Sequence, residues 1–422
     1  MAVKNIQVKR KNGLLEDLFQ AYYDARKNKR NSVSALAFEI EYEKNLVQLW
    51  REISSRSYHP SPYSAFIVEK PVKREVFASD FRDRVVHHLI FNYLNPIFDP
   101  TFINDSYSCR TGKGTSYGIQ RVNYFIRSCS DNYTKDAYIL KLDIKGYFMS
   151  IDRTILFGII ERRITKKQHR LSCELDLIVF LVKGVIFCDP TKGCVLKSPR
   201  ESWLGLPKSK SLFYSGANKG LPIGNLTSQL FANIYLDGLD QFIKRQLQFR
   251  YYGRYVDDMV VVHGDKQRLL VAVKEISDYL SEHVSLTLHP KKIYLQHADK
   301  GVSFLGVYIK PYRVMIGKRV KRNVLNEITL GAQTLKRIAE KNNLQAINEC
   351  YVDFCQRINS YFGLLRQVDS YNFRRDLKKM VTYGFSGRLQ VDKDLHKLVV
   401  VHTLHPDTVK NKSRLKHNKS HI

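Results

Sequence analysis

Three aspartates hold the residue types and spacing that could do chemistry. Asp143 stands near the end of a short apolar run, Ala137 to Ile144, and Asp257-Asp258 leads into a second, Met259-Val260-Val261-Val262. If the two runs pair as neighbouring strands, three carboxylates meet, and like charges so close repel unless cations lie between them. Such a cluster suits two Mg²⁺ ions, with Mn²⁺ as an alternative, which would activate an attacking hydroxyl and neutralise a leaving pyrophosphate in phosphoryl transfer. An Asp-Asp pair by itself is equally what a surface turn carries. The flank argues otherwise, because Met259 to Val262 is too apolar for a solvated turn.

Both runs read as buried strands. Helical spacing extends from Leu14 to about Arg56, and Tyr63 to Phe77 alternates as a strand pair with Lys70-Pro71-Val72-Lys73-Arg74 at its turn. Asp80 to Phe98 is helical again, and Asp105 to Gly118 is rich in Ser, Thr and Gly before a further helix to about Ser130. Between the two strands lie a helical stretch from Arg153 to Phe187, a basic loop through Leu196 to Lys219, and a helix from about Leu226 to Leu247. A helix at Lys266 to His283, an extended stretch at Val302 to Ile309 and a basic helical region from Lys318 to about Val381 follow. The last thirty or so residues read as a loosely ordered basic tail.

The 422 residues carry 69 Lys and Arg against 40 Asp and Glu, a formal net charge of +29, and 44% of them are hydrophobic. This chain can fill real cores and suits a polyanionic partner; a merely soluble basic protein or a binder of acidic membranes is the competing reading of charge alone. No apolar run is long enough to cross a bilayer, and Lys4, Lys9, Arg10 and Lys11 interrupt any signal-like core, so a cytoplasmic protein without a membrane partner is expected. Seven cysteines without CxxC spacing fit a reducing compartment. Cys188 and Cys194 flank a turn but lack two further ligands for zinc.

Tyr255-Val256-Asp257-Asp258 resembles the YxDD box of reverse transcriptases, and Lys141-Leu142-Asp143-Ile144-Lys145-Gly146-Tyr147-Phe148 resembles the box that carries their first catalytic aspartate. Gly220-Leu221-Pro222-Ile223-Gly224-Asn225-Leu226-Thr227-Ser228-Gln229 resembles the loop and helix between them, and the likeness continues to the thumb-like Ser360-Tyr361-Phe362-Gly363-Leu364-Leu365. The resemblance implies an α+β right-hand polymerase: an N-terminal helical cap (1–59), fingers (60–135), a palm (136–317), a helical thumb (318–385) and a basic tail (386–422). It implies an RNA-directed DNA polymerase acting on dNTPs, an RNA template and an RNA–DNA duplex. Asp143, Asp257 and Asp258 would be catalytic and hold the metals, with the Ile144 carbonyl as a further ligand.

The resemblance also assigns nucleotide-binding residues. Lys70, Arg74 and Arg82 would hold the triphosphate, Arg through its two-pronged donor geometry. Phe148 falls where the family places an aromatic gate against a ribose 2′-hydroxyl, and Ile223, Gly224 and Gln229 fall in the middle box. Lys291 or Lys292 lies where a lysine approaches the leaving pyrophosphate. Phe304-Leu305-Gly306 looks like the turn that grips the primer end. Lys336, Arg337, Arg366, Arg374 and Arg375 are expected to face the duplex backbone, with salt-sensitive contacts.

Ile223 and Gln229 depart from the Gln and Pro that many reverse transcriptases carry in this box. An apolar branched residue cannot make the hydrogen bond of an amide, which would weaken discrimination between right and wrong pairs. With Leu206-Pro207-Lys208-Ser209-Lys210-Ser211-Leu212-Phe213 and Phe81-Arg82-Asp83-Arg84-Val85-Val86-His87-His88, this variant resembles the enzymes of diversity-generating retroelements. That likeness implies copying with errors at template adenines and a small basic helical accessory protein. A reverse transcriptase of bacterial anti-phage defence is the alternative, and a non-catalytic RNA-binding protein on a polymerase fold a further one. A group II intron maturase is disfavoured, because no HNH-like cluster is visible and the tail is short.

Overall fold

The computed structural model describes residues 13–27, 32–70, 72–340, 343–385 and 388–401. The N-terminal lysines, Pro71 and the tail beyond 401 lie outside the described residues. Two compact units emerge, one over Met1–Phe125 and Ala137–Leu295, the other over Ile126–Asp136 and Gln296–Ile422.

The first unit opens with three helices, α1 (Leu14–Arg26), α2 (Val33–Ile40) and α3 (Tyr42–Ser54), whose Leu18, Ala21, Leu46, Leu49 and Ile53 are fully buried. They enter one continuous core with α4 (Phe81–Phe98), so the cap is packed into the body rather than appended to it. The hairpin β1 (Ser64–Val68) and β2 (Arg74–Ala78) is antiparallel, as the alternation predicts. After α5 (Thr115–Cys129), β3 (Tyr138–Asp143) and a short α6 (Tyr147–Ser150), the helical stretch at 153–187 breaks into α7 (Arg153–Lys166) and α8 (Leu175–Phe187). Side-chain caps fix where several helices begin: Asp80 accepts from Arg82 N at 3.0 Å, and Asp152 from Thr154 N and Ile155 N at 2.9 and 3.0 Å.

The basic loop after α8 returns to the β1–β2 hairpin. Its β4 (Val195–Leu196) adds in parallel to β1. The fully buried Glu75 on β2 then accepts from Trp203 Nε1 at 2.7 Å, Ser211 Oγ at 2.7 Å and Leu212 N at 2.5 Å. A carboxylate survives such burial because three donors satisfy it. Residues 195–212, which lie within the stretch 136–317 expected as palm, thus pair with and pack on the β1–β2 hairpin.

The helix α9 (Leu226–Gln241) is buried on almost every side, against α4 and α7. Beyond it, β5 (Tyr251–Tyr255), β6 (Asp258–His263), α10 (Lys266–Val284) and β7 (Tyr294–His297) complete a four-stranded sheet in the order β5-β6-β3-β7. Met259, Val260, Val261 and Val262 are all buried, confirming a core strand.

In the second unit, β8 (Val302–Phe304), β9 (Val307–Lys310) and β10 (Arg313–Ile316) form an antiparallel meander, followed by α11 (Lys318–Glu340), α12 (Leu344–Leu365) and α13 (Tyr371–Gly384). The meander falls in the same compact unit as these three helices, a unit that takes in Gln296 onward. The tail expected from 386 also changes character. β11 (Leu389–Val391) and β12 (Leu398–Val400) pair as a hairpin, and Leu389, Val391, Leu395 and Leu398 join the core of the thumb helices.

Candidate active site

The register of the palm sheet decides the site. β3 runs antiparallel to β6 with Asp143 opposite Asp258, and β5 joins β6 through the two-residue turn Val256-Asp257. Three carboxylates contributed by two segments thus gather at one end of the sheet. Val256 adopts φ +56°, a left-handed conformation that costs a β-branched residue about 1–3 kcal/mol. The turn is held in that shape by Arg254, which donates from Nη1 to the Val256 carbonyl at 2.8 Å.

Arg254 is itself fully buried and forked onto Asp240 of α9, Nε to Oδ1 at 2.8 Å and Nη2 to Oδ2 at 2.6 Å. Tyr252 donates to Asp240 Oδ1 at 2.6 Å. Burial opposes the charge on Arg254, but Asp240 outweighs it and holds the guanidinium above its ordinary pKa. Arg254 and Asp240 escaped sequence reasoning; a charged residue in the middle of the run Tyr251 to Tyr255 was the available signal.

Two lysines brace the carboxylates. Lys292 places Nζ 2.9 Å from both oxygens of Asp143, and Lys141 lies 3.1 Å from Asp258. Of the open pair Lys291 and Lys292, Lys292 is the one at the aspartates; Lys291 is exposed. Burial first, and the charge of Asp143 second, push Asp257 up to about 6. Burial also raises Asp258, with Lys141 acting against it. Among the described residues no three Asp, Glu, His or Cys side chains stand in a closed metal-holding arrangement. The donor chemistry nonetheless fits: hard carboxylate oxygens, whose charge at Asp257 is opposed by burial and by Asp143, are what a divalent cation would relieve.

The remaining expected residues fall into three groups. Arg74 and Val76 alternate onto one face of β2, and Gly224, at φ +122°, lies so close that an added Cβ would come within 2.8 Å of Val76 and 3.3 Å of the Phe77 carbonyl. Only glycine fits there. Asn225 tightens this junction, accepting from Ser79 N at 3.2 Å and donating to the Phe77 carbonyl at 3.1 Å, while Thr227 reaches buried His87 at 2.8 Å. Phe148 and Ile223 are half-buried against the same small cluster of Tyr63, Ala65, Phe77, Met149 and Leu212. Gln229 is exposed on α9 and Lys70 exposed before the hairpin turn.

Arg82 is engaged within the protein, ion-paired to Glu52 and Asp83, 5.0 Å over the Tyr58 ring and donating to the His59 carbonyl. The Ile144 side chain is buried, and the segment continues pairing through a bridge to Leu288. Phe304, Leu305 and Gly306 form the β8–β9 turn of the second unit; Leu305 is at φ +47°, and Gly306 would bring a Cβ to 3.2 Å from Val320. Lys336, Arg337, Arg366 and Arg375 are exposed, whereas Arg374 turns inward to the Leu395 carbonyl at 2.9 Å. No described helix is long and apolar enough to cross a membrane.

The family model "Reverse transcriptase (RNA-dependent DNA polymerase)" matches residues 73–309, more than half of the chain and all three aspartates. The chain belongs to the reverse transcriptase family. As a reverse transcriptase it has the α+β right-hand polymerase fold and is an RNA-directed DNA polymerase. It is 22% identical to Protein YkfC of Escherichia coli (strain K12), over 66% of this chain and 73% of that one. It is 25% identical to the group II intron-encoded protein LtrA of Lactococcus lactis subsp. cremoris, over 73% of this chain and 58% of LtrA. Telomerase from Candida albicans superposes with a TM-score of 0.42 at 10% identity, over 83% of this chain and 67% of that one.

Proposed function

We propose that this reverse transcriptase makes cDNA by two-metal nucleotidyl transfer and belongs to the kind found in diversity-generating retroelements. The observation that carries the chemistry is the β3–β6 register, which sets Asp143 opposite Asp258 and beside the Asp257 turn. Asp143, Asp257 and Asp258, with the Ile144 carbonyl, would hold two Mg²⁺ ions, which lower the pKa of the primer 3′-hydroxyl and neutralise the pyrophosphate leaving from the α-phosphorus. Lys292 holds both oxygens of Asp143 in place, and its ammonium would donate a proton to the departing phosphate oxygens. Lys70 and Arg74 bind the triphosphate, and Phe148 excludes a 2′-hydroxyl. The turn at Phe304 to Gly306 grips the primer, and the exposed thumb cations hold the RNA–DNA duplex.

Ile223 supports the error-prone reading. It lies against the cluster that Phe148 also borders, and its side chain offers only dispersion contact where an amide would offer a hydrogen bond. The accessory partner of this reading is a small basic helical protein. The likeness to LtrA favours a second reading, in which the enzyme serves a group II intron. Primer extension on RNA with Mg²⁺ tests the chemistry: the wild type extends, and Asp257→Ala with Asp258→Ala does not while still binding RNA. A double variant that extends would overturn the site. Sequencing the cDNA then tests the type, since errors concentrated at template adenines are expected and a flat error spectrum would remove the retroelement reading.

A further inference from the structure

A second cluster of positive charge opens beside the catalytic strand. The segment after β3 stays extended, with His289 N donating to the Asp143 carbonyl at 2.7 Å and Lys145 N to the Thr287 carbonyl at 2.9 Å. Ile144 points into the core between them, so alternation carries Asp143 and Lys145 to the same side, roughly 7 Å apart along the strand. There a cavity of about 320 Å³ is lined by Lys145, Lys208, Lys219, Ser209, Ser215 and Thr287, with Met149 and Tyr214 also on its wall. Among the described residues no carboxylate lines it, and the three lysines form no ion pair.

Two features mark it as built for an anion. Lys145 and Lys208 are exposed and Lys219 is half-buried, so water screens their mutual repulsion, but three ammonium groups around one cavity with no lining carboxylate still attract an oxyanion. Ser215 Oγ is buried there with no hydrogen-bond partner among the described residues, although buried hydroxyls are normally satisfied. The surroundings are held firmly: Gly146, at φ +56°, would bring a Cβ within 2.6 Å of the Ser209 carbonyl, and Lys208 lies 5.3 Å over the Tyr214 ring.

We propose that this cavity is an anion-binding subsite for a diphosphate, receiving the pyrophosphate released at the aspartates; that source assignment rests on the polymerase reading above. The lysines and hydroxyls would equally suit a phosphate of a nucleic-acid backbone. A free diphosphate is favoured because the cavity begins one strand repeat from the carboxylates where it is released.

Titration calorimetry of inorganic pyrophosphate into the full chain in EDTA tests the site without any need for catalysis. Saturable binding is expected, weakened by roughly tenfold per lysine in Lys208→Gln and Lys219→Gln. Binding should be largely restored in Lys208→Arg and Lys219→Arg, and kept in Asp257→Ala with Asp258→Ala. Matching thermal melts of the Gln and Arg variants exclude misfolding as the cause. Absence of saturable binding, or binding that the Gln variants leave unchanged, would overturn the proposal. Loss of RNA–DNA duplex affinity in the Gln variants, with no competition by pyrophosphate, would overturn the diphosphate and assign the cavity to a backbone phosphate. Failure of the wild type to extend a primer while still binding pyrophosphate would sink the polymerase reading and leave the anion site standing.

Discussion

Lys292 and Asp143, 149 residues apart in sequence, meet as a two-pronged ion pair, Nζ lying 2.9 Å from each carboxylate oxygen. On the proposed mechanism the ammonium would compete with a metal for the same oxygens and would donate a proton to the leaving group. Lys292→Ala should therefore lower the extension rate by about 10- to 100-fold while lowering the Mg²⁺ concentration for half-maximal rate. Metal titrations of both proteins check this, and an unchanged rate would remove the proton-donor role.

Asp257 gives a pH dependence with a definite sign. Its folded pKa, raised to about 6, means that ionisation penalises the folded state. The penalty is absent below the ordinary carboxylate value, grows between that value and about 6, and is complete above. In EDTA, Asp257→Asn should melt higher than wild type at pH 8 and equal to it near about pH 4. Mg²⁺ should narrow the gap at pH 8 by stabilising only the wild type. Equal melting temperatures at pH 8 in EDTA would contradict this.

Arg254 predicts a split between stability and rate. Arg254→Ala leaves Asp240 buried and unpaired, at a cost of about 3–5 kcal/mol in denaturant unfolding. Replacing both, Arg254→Met with Asp240→Leu, should recover most of that stability. It should not recover the rate, because the Val256 carbonyl loses its donor and the turn bearing Asp257 is no longer held. A double variant with wild-type rate would show that the turn keeps its shape unaided.

Ile223→Gln should lower misincorporation at template adenines and change other errors little, read by sequencing the cDNA product. An unchanged error spectrum would remove the fidelity role of Ile223.

The C-terminal hairpin carries a prediction of stability. Leu389 is fully buried among the thumb helices, so Leu389→Ala should destabilise the protein by about 2–5 kcal/mol. A loss below about 0.5 kcal/mol would show that the hairpin contributes little to that core.

The order of motifs, the apolar strands around the three aspartates and most helix positions were legible in the residues themselves, because periodicity and capping are local. Asp80, Asp152 and Asp265 each stand at a helix start where the sequence places a break, and each caps it. What the sequence could not fix were the long-range partners. Nothing local marks Lys292 over Lys291, since both follow His289-Pro290 and only the β3 register selects one. Nothing local joins Glu75 to Trp203 and Ser211, or Asp240 to Arg254, because a buried charge is recognised by its distant counterpart and not by its neighbours. The tail read as loose because its apolar residues are few and spaced among charges; Leu389, Val391 and Leu398 gain their place only once the thumb helices offer a surface to cover. The sequence by itself determined the family, through the order of its boxes and three acids in two apolar strands. The tertiary structure alone decided which cations brace those acids, because that depends on chain segments brought together by the fold.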